Sequence, residues 1–201
     1  LLIELGEQPI YPLQEVKRLG RIAAIYHQIT PTETQWDPLT KYLNPAITLA
    51  TEHEFTLELA SLKNEYGYLI GRHEHWEAAL PYHYEAAQIY FDSNDKRNYA
   101  GVMTKALNQL VHYSRDFDKI DSLIDVVLLE TEGNNWFAVE IELFTLISYY
   151  KAVHGDGVSG LNWKNKALLS EIQYNYTLNI ISIMLIVSNS ISYFDFCICQ
   201  K

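Results

Sequence analysis

Glycine and proline are sparse in this 201-residue sequence, at 9 and 6 residues. A β-sandwich of this length needs many tight turns, which draw on both residue types, so the composition disfavours that class. Long helices need few turns and fit it well. With 48% hydrophobic and 20% charged residues, the chain has the composition of a folded protein and not of a disordered one.

Cysteine is nearly absent, and the two residues present, Cys197 and Cys199, stand near the C-terminal end. A single C-x-C pair makes neither a disulfide framework nor a complete zinc site. We interpret both as free thiols in a reducing compartment, which predicts a cytoplasmic location. Glu4 and Glu7 interrupt the apolar stretch that a secretory signal peptide would need. Because the first residue is Leu1, we also expect that the chain could be a piece of a longer protein.

Positive charge is in deficit. There are 15 Lys and Arg residues against 25 Asp and Glu, a net charge of −10 with histidine neutral. An acidic surface repels phosphate backbones and anionic lipid headgroups, so a nucleic-acid partner is excluded and membrane binding is disfavoured. A neutral or basic protein or peptide is the expected partner.

Catalytic and nucleotide-binding motifs are missing as well. The sequence contains neither G-x-x-x-x-G-K-[ST] nor G-x-G-x-x-G. Residues 73–77 read His-Glu-His-Trp-Glu, but the two histidines are two positions apart and would point to different sides of a helix. We interpret this stretch as a solvated loop. The sequence therefore predicts no catalytic site, no bound metal and no cofactor.

What the sequence does have is a repeat with a period near 40. An anchor residue recurs in similar settings: Trp36 in TQWDPL, Trp76 in HEHWEAAL, Phe117 in RDFDKI, and Gly157 in GDGVSG. The spacings are 40, 41 and 40 residues. A regular period of this length is typical of repeat proteins that stack one structural unit on the next.

The residues around each anchor have a helical period. Apolar residues recur at three- and four-residue steps before and after each anchor, and turn-forming residues separate these stretches. The pattern predicts an all-α fold, an α-α superhelix of about four helical hairpins. Pro45 and Pro81 fall inside the second helices of the first two hairpins, where each is expected to kink or interrupt the helix.

The repeat resembles the longer variant, of roughly 40 residues, of the tetratricopeptide repeat. Gly67 stands where that family has a small residue on the first helix. Trp76 matches the aromatic before the second helix, and Ala79 and Ala86 match two small residues seven apart. The other units offer larger or partial counterparts: Phe117, Ile120 and Val127; Phe144, Ser148, Gly160 and Ala167; Trp36, Leu39 and Ala46. The resemblance covers residues 12–173.

We divide the sequence into a repeat array over residues 1–173 and an apolar tail over residues 174–201. The units are approximately 12–52, 53–94, 95–134 and 135–173. Residues 172–194 carry no charge. Several Asn and Ser residues nevertheless make this stretch less apolar. Three interpretations stay open for the tail: a helix that caps the array or is covered by a partner, a membrane-associated segment, or a sequence foreign to the fold.

The resemblance implies that the first helices line a concave groove that receives a peptide or partner helix. The groove positions that it implies are Asn64, Tyr68, Arg72, Lys105, Gln109, His112, Glu142, Thr145 and Tyr149. The leading hypothesis is a scaffold that binds a protein or peptide there. The alternatives are a sensor domain for signal transduction, as in the repeat arrays of STAND-type ATPases and peptide-responsive regulators, and a membrane-tethered adaptor.

Overall fold

A computed structural model describes the backbone of residues 11–29, 36–73 and 75–198, and the side chains of residues 11–25, 41–71 and 75–178. Eight helices and no strand occur in these residues. The predicted all-α fold class is confirmed. The helices are α1 (Pro12–Ile29), α2 (Trp36–Glu52), α3 (Thr56–His73), α4 (Trp76–Asp92), α5 (Lys96–Tyr113), α6 (Phe117–Thr131), α7 (Phe137–Val153) and α8 (Gly157–Ile198).

Each helix packs mainly on its neighbours along the chain. Helix α1 packs on α2, α2 on α3, α3 on α4, α4 on α5, and α7 on α8. An ion pair between Lys96 Nζ and Glu130 Oε2, at 3.1 Å, links α5 to α6. The chain forms two compact units, residues 1–130 and residues 131–201. Helix α8 continues without a break past residue 174, the predicted start of the tail.

The four anchors stand at the starts of the second helices. Trp36, Trp76, Phe117 and Gly157 are the first residues of α2, α4, α6 and α8. The positions three and ten residues after each anchor lie on one face of the second helix. Those that the structure describes are buried: Ala46, Ala79, Ala86, Ile120, Val127, Gly160 and Ala167. The period seen in the sequence is therefore the spacing of one buried helix face.

Helices α3 and α4 cross closely at Gly67. A methyl group added to Gly67 would lie 3.0 Å from Cβ of Tyr82 and 3.1 Å from the carbonyl oxygen of Ala79. The small residue expected from the sequence is thus required by backbone proximity. Gly160 plays the same part between α7 and α8, with the carbonyl oxygen of Ser148 at 3.0 Å from the position of such a methyl group.

Three helices end in the same turn. The amide groups of Phe55, Asp95 and Asp156 donate to the carbonyl oxygens of Ala50, Tyr90 and Lys151, five residues back. The residue before each amide has a positive φ: Glu54 (56°), Asn94 (56°) and Gly155 (88°). This is the Schellman arrangement, which satisfies the last carbonyl groups of a helix. Asp95 and Asp156 then accept from the amides of Asn98 and Ser159, which starts the next helix.

The expected interruption at the two prolines was wrong. Helices α2 and α4 continue through Pro45 and Pro81. Both prolines lie on exposed faces. The carbonyl oxygen that loses its donor, four residues earlier, belongs in each case to an exposed residue, Lys41 or Glu77, so water can satisfy it.

A membrane-associated tail was one of the three interpretations of residues 174–201. Within the helices that the structure describes, none combines the length and mean hydropathy that a membrane span needs. The side chains beyond residue 178, which include both cysteines, lie outside the described residues.

The Gly67 crossing makes a prediction about stability. Gly67→Val should lower the free energy of unfolding by about 2 kcal/mol, because the added methyl groups force α3 away from α4. Urea denaturation followed by circular dichroism measures this. Gly157→Val is the matched control, since a Cβ atom added there meets nothing within 4 Å. Equal stability of the two variants would contradict the close crossing.

The turn after α2 makes a second prediction. Glu54 adopts the left-handed conformation that glycine tolerates best. Glu54→Gly should therefore raise the free energy of unfolding by about 0.5–1 kcal/mol. Glu52→Gly, in the last turn of α2, should lower it by a similar amount. A loss of stability on both substitutions would argue against the turn described above.

Candidate functional site

The first three odd-numbered helices line a cleft in the first unit. Its volume is about 450 Å³. Helices α1 and α3 form its walls, and α4 and the start of α5 close one end. The lining residues are Val16, Lys17, Gly20, Arg21, Ala24, Leu57, Glu58, Ser61, Leu62, Glu65, Tyr90, Asp95 and Asn98. Most of the lining residues thus come from α1 and α3, with Tyr90 contributed by α4.

Charges of opposite sign stand on opposite walls of the cleft. Helix α1 contributes Lys17 and Arg21, and α3 contributes Glu58 and Glu65. Lys17 Nζ and Glu58 Oε1 pair across the cleft at 3.3 Å. Arg21 and Glu65 form no ion pair with any residue in the described part of the chain. One cation and one carboxylate are therefore available to a ligand.

The floor of the cleft is polar but internally satisfied. Tyr90 is buried, at 6% exposure, and its hydroxyl group is hydrogen-bonded to Ser61. Burial raises the pKa of Tyr90, and the nearby carboxylates of Asp95 and Glu58 raise it further. Asp95 accepts hydrogen bonds from the backbone amide of Asn98 at 3.2 Å and from its Nδ2 at 2.7 Å. Tyr90 and Asp95 thus line the cleft while forming hydrogen bonds with Ser61 and Asn98.

Of the groove residues predicted on α3, Tyr68 lies on the face that lines the cleft. It follows Leu57, Ser61 and Glu65 at helical steps of three and four residues, and its side chain is exposed. Asn64 needs a correction. It is buried at 9% exposure, and its Oδ1 lies 3.0 Å from Nδ1 of His83. Asn64 is therefore a packing residue between α3 and α4. The side chain of Arg72 lies outside the described residues.

The residues predicted on α5 share one helical face with Asn98 of the cleft. Lys105 and Gln109 are half-buried, and His112 is exposed beside Tyr113, with ring centroids 6.2 Å apart. None of the three lines the cleft. They continue its face towards the other end of α5.

The residues predicted on α7 belong to the second unit. Glu142, Thr145 and Tyr149 are all exposed. Thr145 and Tyr149 line a separate cavity of about 310 Å³ between α7 and α8. The predicted positions on α3 and α5 thus belong to the first unit, and those on α7 belong to the second.

Sequence reasoning missed the residues that contribute charge to the cleft: Lys17, Arg21, Glu58 and Glu65. One signal could have found the last two. Counting back from Tyr68 in steps of three and four gives Glu65, Ser61 and Glu58 or Leu57. The residues of α1 had no such signal, because none of the predicted groove positions lies on α1.

A buried histidine lies behind the cleft wall. His83 has 0% exposure, its Nδ1 is hydrogen-bonded to Asn64, and its Nε2 has no hydrogen-bond partner among the described residues. Burial lowers its pKa to about 4, and the Lys105 cation on α5 contributes to the shift. The imidazole is neutral at pH 7. In the described part of the chain, no three His, Cys, Asp or Glu side chains are placed to hold a metal ion.

Comparison with known proteins gives a structural neighbour. No protein family model matches the sequence, and no curated protein matches it. The chain is similar in structure to BtubC (BKLC) from P. vanneervenii, with a TM-score of 0.64 over 86% of this chain and 68% of that chain. The two sequences are 17% identical. The likeness is one of fold. It agrees with the all-helical architecture and carries no information about the cleft.

The buried histidine makes a prediction about pH. Burial in the folded protein lowers the pKa of His83 from 6.5, its value in the unfolded chain, to about 4. Its contribution to stability is therefore complete above pH 6.5 and is lost as the pH falls towards 4, by about 3 kcal/mol in all. His83→Gln, which keeps a neutral partner for Asn64, should lack this component. The measurement is the free energy of unfolding of both proteins from pH 7 to pH 4. Parallel curves would show that His83 is not held neutral.

Proposed function

We propose that this chain is a tetratricopeptide-like scaffold that binds a protein or peptide segment in the cleft of α1, α3 and α5. The observation that carries the proposal is the cleft itself, with Arg21 and Glu65 on opposite walls and neither in an ion pair within the described residues. Such charges cost little to expose and are available to form charge-assisted hydrogen bonds with a ligand. A cytoplasmic location is part of the proposal, supported by the two cysteines in 201 residues.

The chemistry of the cleft selects the kind of segment. A peptide that presents a carboxylate to Arg21 and a cationic side chain to Glu65 would neutralise both charges. The exposed side chain of Leu57 offers a ligand an apolar contact in the same cleft, whereas Val16 and Leu62 are buried. Recognition by a few charged groups around an apolar strip is common in peptide-binding grooves. The net charge of −10 further favours partners that are neutral or basic overall.

The test uses a displayed library of random peptides. Peptides enriched on the wild-type chain are made synthetically, and their Kd values are measured by fluorescence anisotropy. Arg21→Ala and Glu65→Ala should each weaken binding about tenfold, the equivalent of about 1.4 kcal/mol for a lost charged hydrogen bond. The enriched peptides should also contain both an acidic and a basic residue.

Matched controls are available on exposed positions of the same unit. Arg97→Ala on α5 and Glu77→Ala on α4 remove the same charges away from the cleft lining. They should leave the Kd values within about twofold, as expected for surface charges. If the Arg21→Ala, Glu65→Ala double variant bound the enriched peptides as tightly as the wild type, the cleft would not be the binding site.

A further inference from the structure

Helices α7 and α8 repeat the geometry of α3 and α4 with a constant shift in numbering. Helices α3 and α7 begin at Thr56 and Phe137, and α4 and α8 begin at Trp76 and Gly157, so the shift is 81 residues in both cases. Gly67 and Ala86 correspond to Ser148 and Ala167 under this shift. The positions of α8 from Gly157 to Gln173 therefore have counterparts in α4, whose environment is known.

On the α3–α4 hairpin, the groove between the two helices is covered. Helix α5 packs against α4. The positive charge of Lys105 on α5 helps to lower the pKa of the buried His83. The side chain of Gln109 lies against Gly71. Leu80 and Ala87 on the outer face of α4 are 8% and 2% exposed. A helix thus fills this groove in the first unit.

On the α7–α8 hairpin, the corresponding groove is open. Leu161 and Leu168, the counterparts of Leu80 and Ala87, are 60% and 46% exposed. The cavity of about 310 Å³ lies here, lined by Ile141, Thr145, Ser148, Tyr149, Lys164, Ala167, Leu168 and Glu171. Helix α8 runs on unbroken to Ile198, so the residues that follow the hairpin do not fold back into its groove. The face of α8 that corresponds to the α5-packing face of α4 is therefore exposed.

Two charges define what can fill this groove. Where α4 has His83 and Tyr90, α8 has Lys164 and Glu171, which are seven residues, or about 10.5 Å, apart along one face. Leu161, Lys164, Leu168 and Glu171 follow one another in steps of three, four and three residues, so they form one stripe. A helix packed on this stripe must place a negative charge opposite Lys164 and a positive charge opposite Glu171.

The stripe is complementary to itself when reversed. An antiparallel copy of α8, centred between Ala167 and Leu168, places Lys164 opposite Glu171 of the second copy, and Glu171 opposite its Lys164. The same arrangement sets the exposed Leu161 against the exposed Tyr174 of the second copy. A parallel copy in register would instead place Lys164 against Lys164 and Glu171 against Glu171, which is repulsive.

We propose that the open groove of α7 and α8 is a homodimer interface, in which α8 packs antiparallel to α8 of a second copy of this chain. Two symmetric Lys164–Glu171 ion pairs fix the register, and the exposed leucines supply the apolar area. This is an isologous contact, in which the same surface patch serves both partners. The interface is formed by residues of α7 and α8 and shares no residue with the cleft.

The experiment measures the oligomeric state of the full chain by sedimentation velocity over a range of concentrations. The wild type should be a dimer. Lys164→Glu and Glu171→Lys should each raise the dimer Kd about tenfold or more, because each sets like charges together twice. An equimolar mixture of these two variants should form a heterodimer as tight as the wild-type dimer, since both of its ion pairs again have opposite signs.

Controls separate this interface from folding and from general charge effects. Both charged side chains are exposed, so the variants should keep the helical circular dichroism of the wild type. Lys119→Glu makes the same charge change at an exposed position of α6 and should leave the Kd unchanged. Leu168→Asp should abolish the dimer. The cleft variants Arg21→Ala and Glu65→Ala should not affect it.

Three results would overturn the proposal. A wild-type chain that stays monomeric at every concentration would leave the groove to a helix of another protein. A dimer that tolerates both single charge reversals would lie on another surface. A mixture of Lys164→Glu and Glu171→Lys that fails to associate more tightly than either variant alone would exclude the antiparallel register.

Discussion

The close approach of the two helices in a hairpin is the constraint on which the rest of the structure depends. At the crossing of α3 and α4, a side chain as small as alanine at position 67 would press on the backbone of Ala79. That proximity buries Ala79 and Ala86 completely. Because the face is buried every 40 residues or so, neighbouring hairpins can cover each other. A repeat protein gains its stability from this covering and from the hairpins themselves.

The same proximity decides which polar groups stay accessible. Asn64 faces α4 and meets His83, so its amide is committed to the interior. Glu65, one residue later, is turned by about 100° on the helix and faces the cleft. On α3, Leu57, Ser61 and Glu65 line the cleft, and Tyr68 continues the same face of the helix. Asn64, which pairs with His83, and Glu65, which lines the cleft, therefore lie on adjacent faces of α3.

One hairpin geometry serves two environments in this chain. Where a following helix covers the hairpin, as α5 covers α4, the outer positions are small, apolar or neutral: Leu80, His83 and Ala87. Where the described structure leaves the hairpin uncovered, the equivalent positions carry Leu161, Lys164 and Leu168. Burial of an unpaired cation is costly, which is why the covered position holds a neutral imidazole. The uncovered position can hold a lysine.

The sequence by itself determined the helices, their period and the residues at the tight crossings. Spacing of Trp36, Trp76, Phe117 and Gly157 marked the start of every second helix, because a helical period and a small or aromatic residue at fixed positions are local properties of the chain. Only the tertiary structure decided which polar residue faces which neighbour. Asn64 was expected in a groove and lies inside the hairpin, and Lys17 and Arg21 were not expected and line the cleft. One step along a helix changes the face by about 100°, so the direction of a side chain depends on how α1, α3 and α5 pack, and no local pattern contains that information.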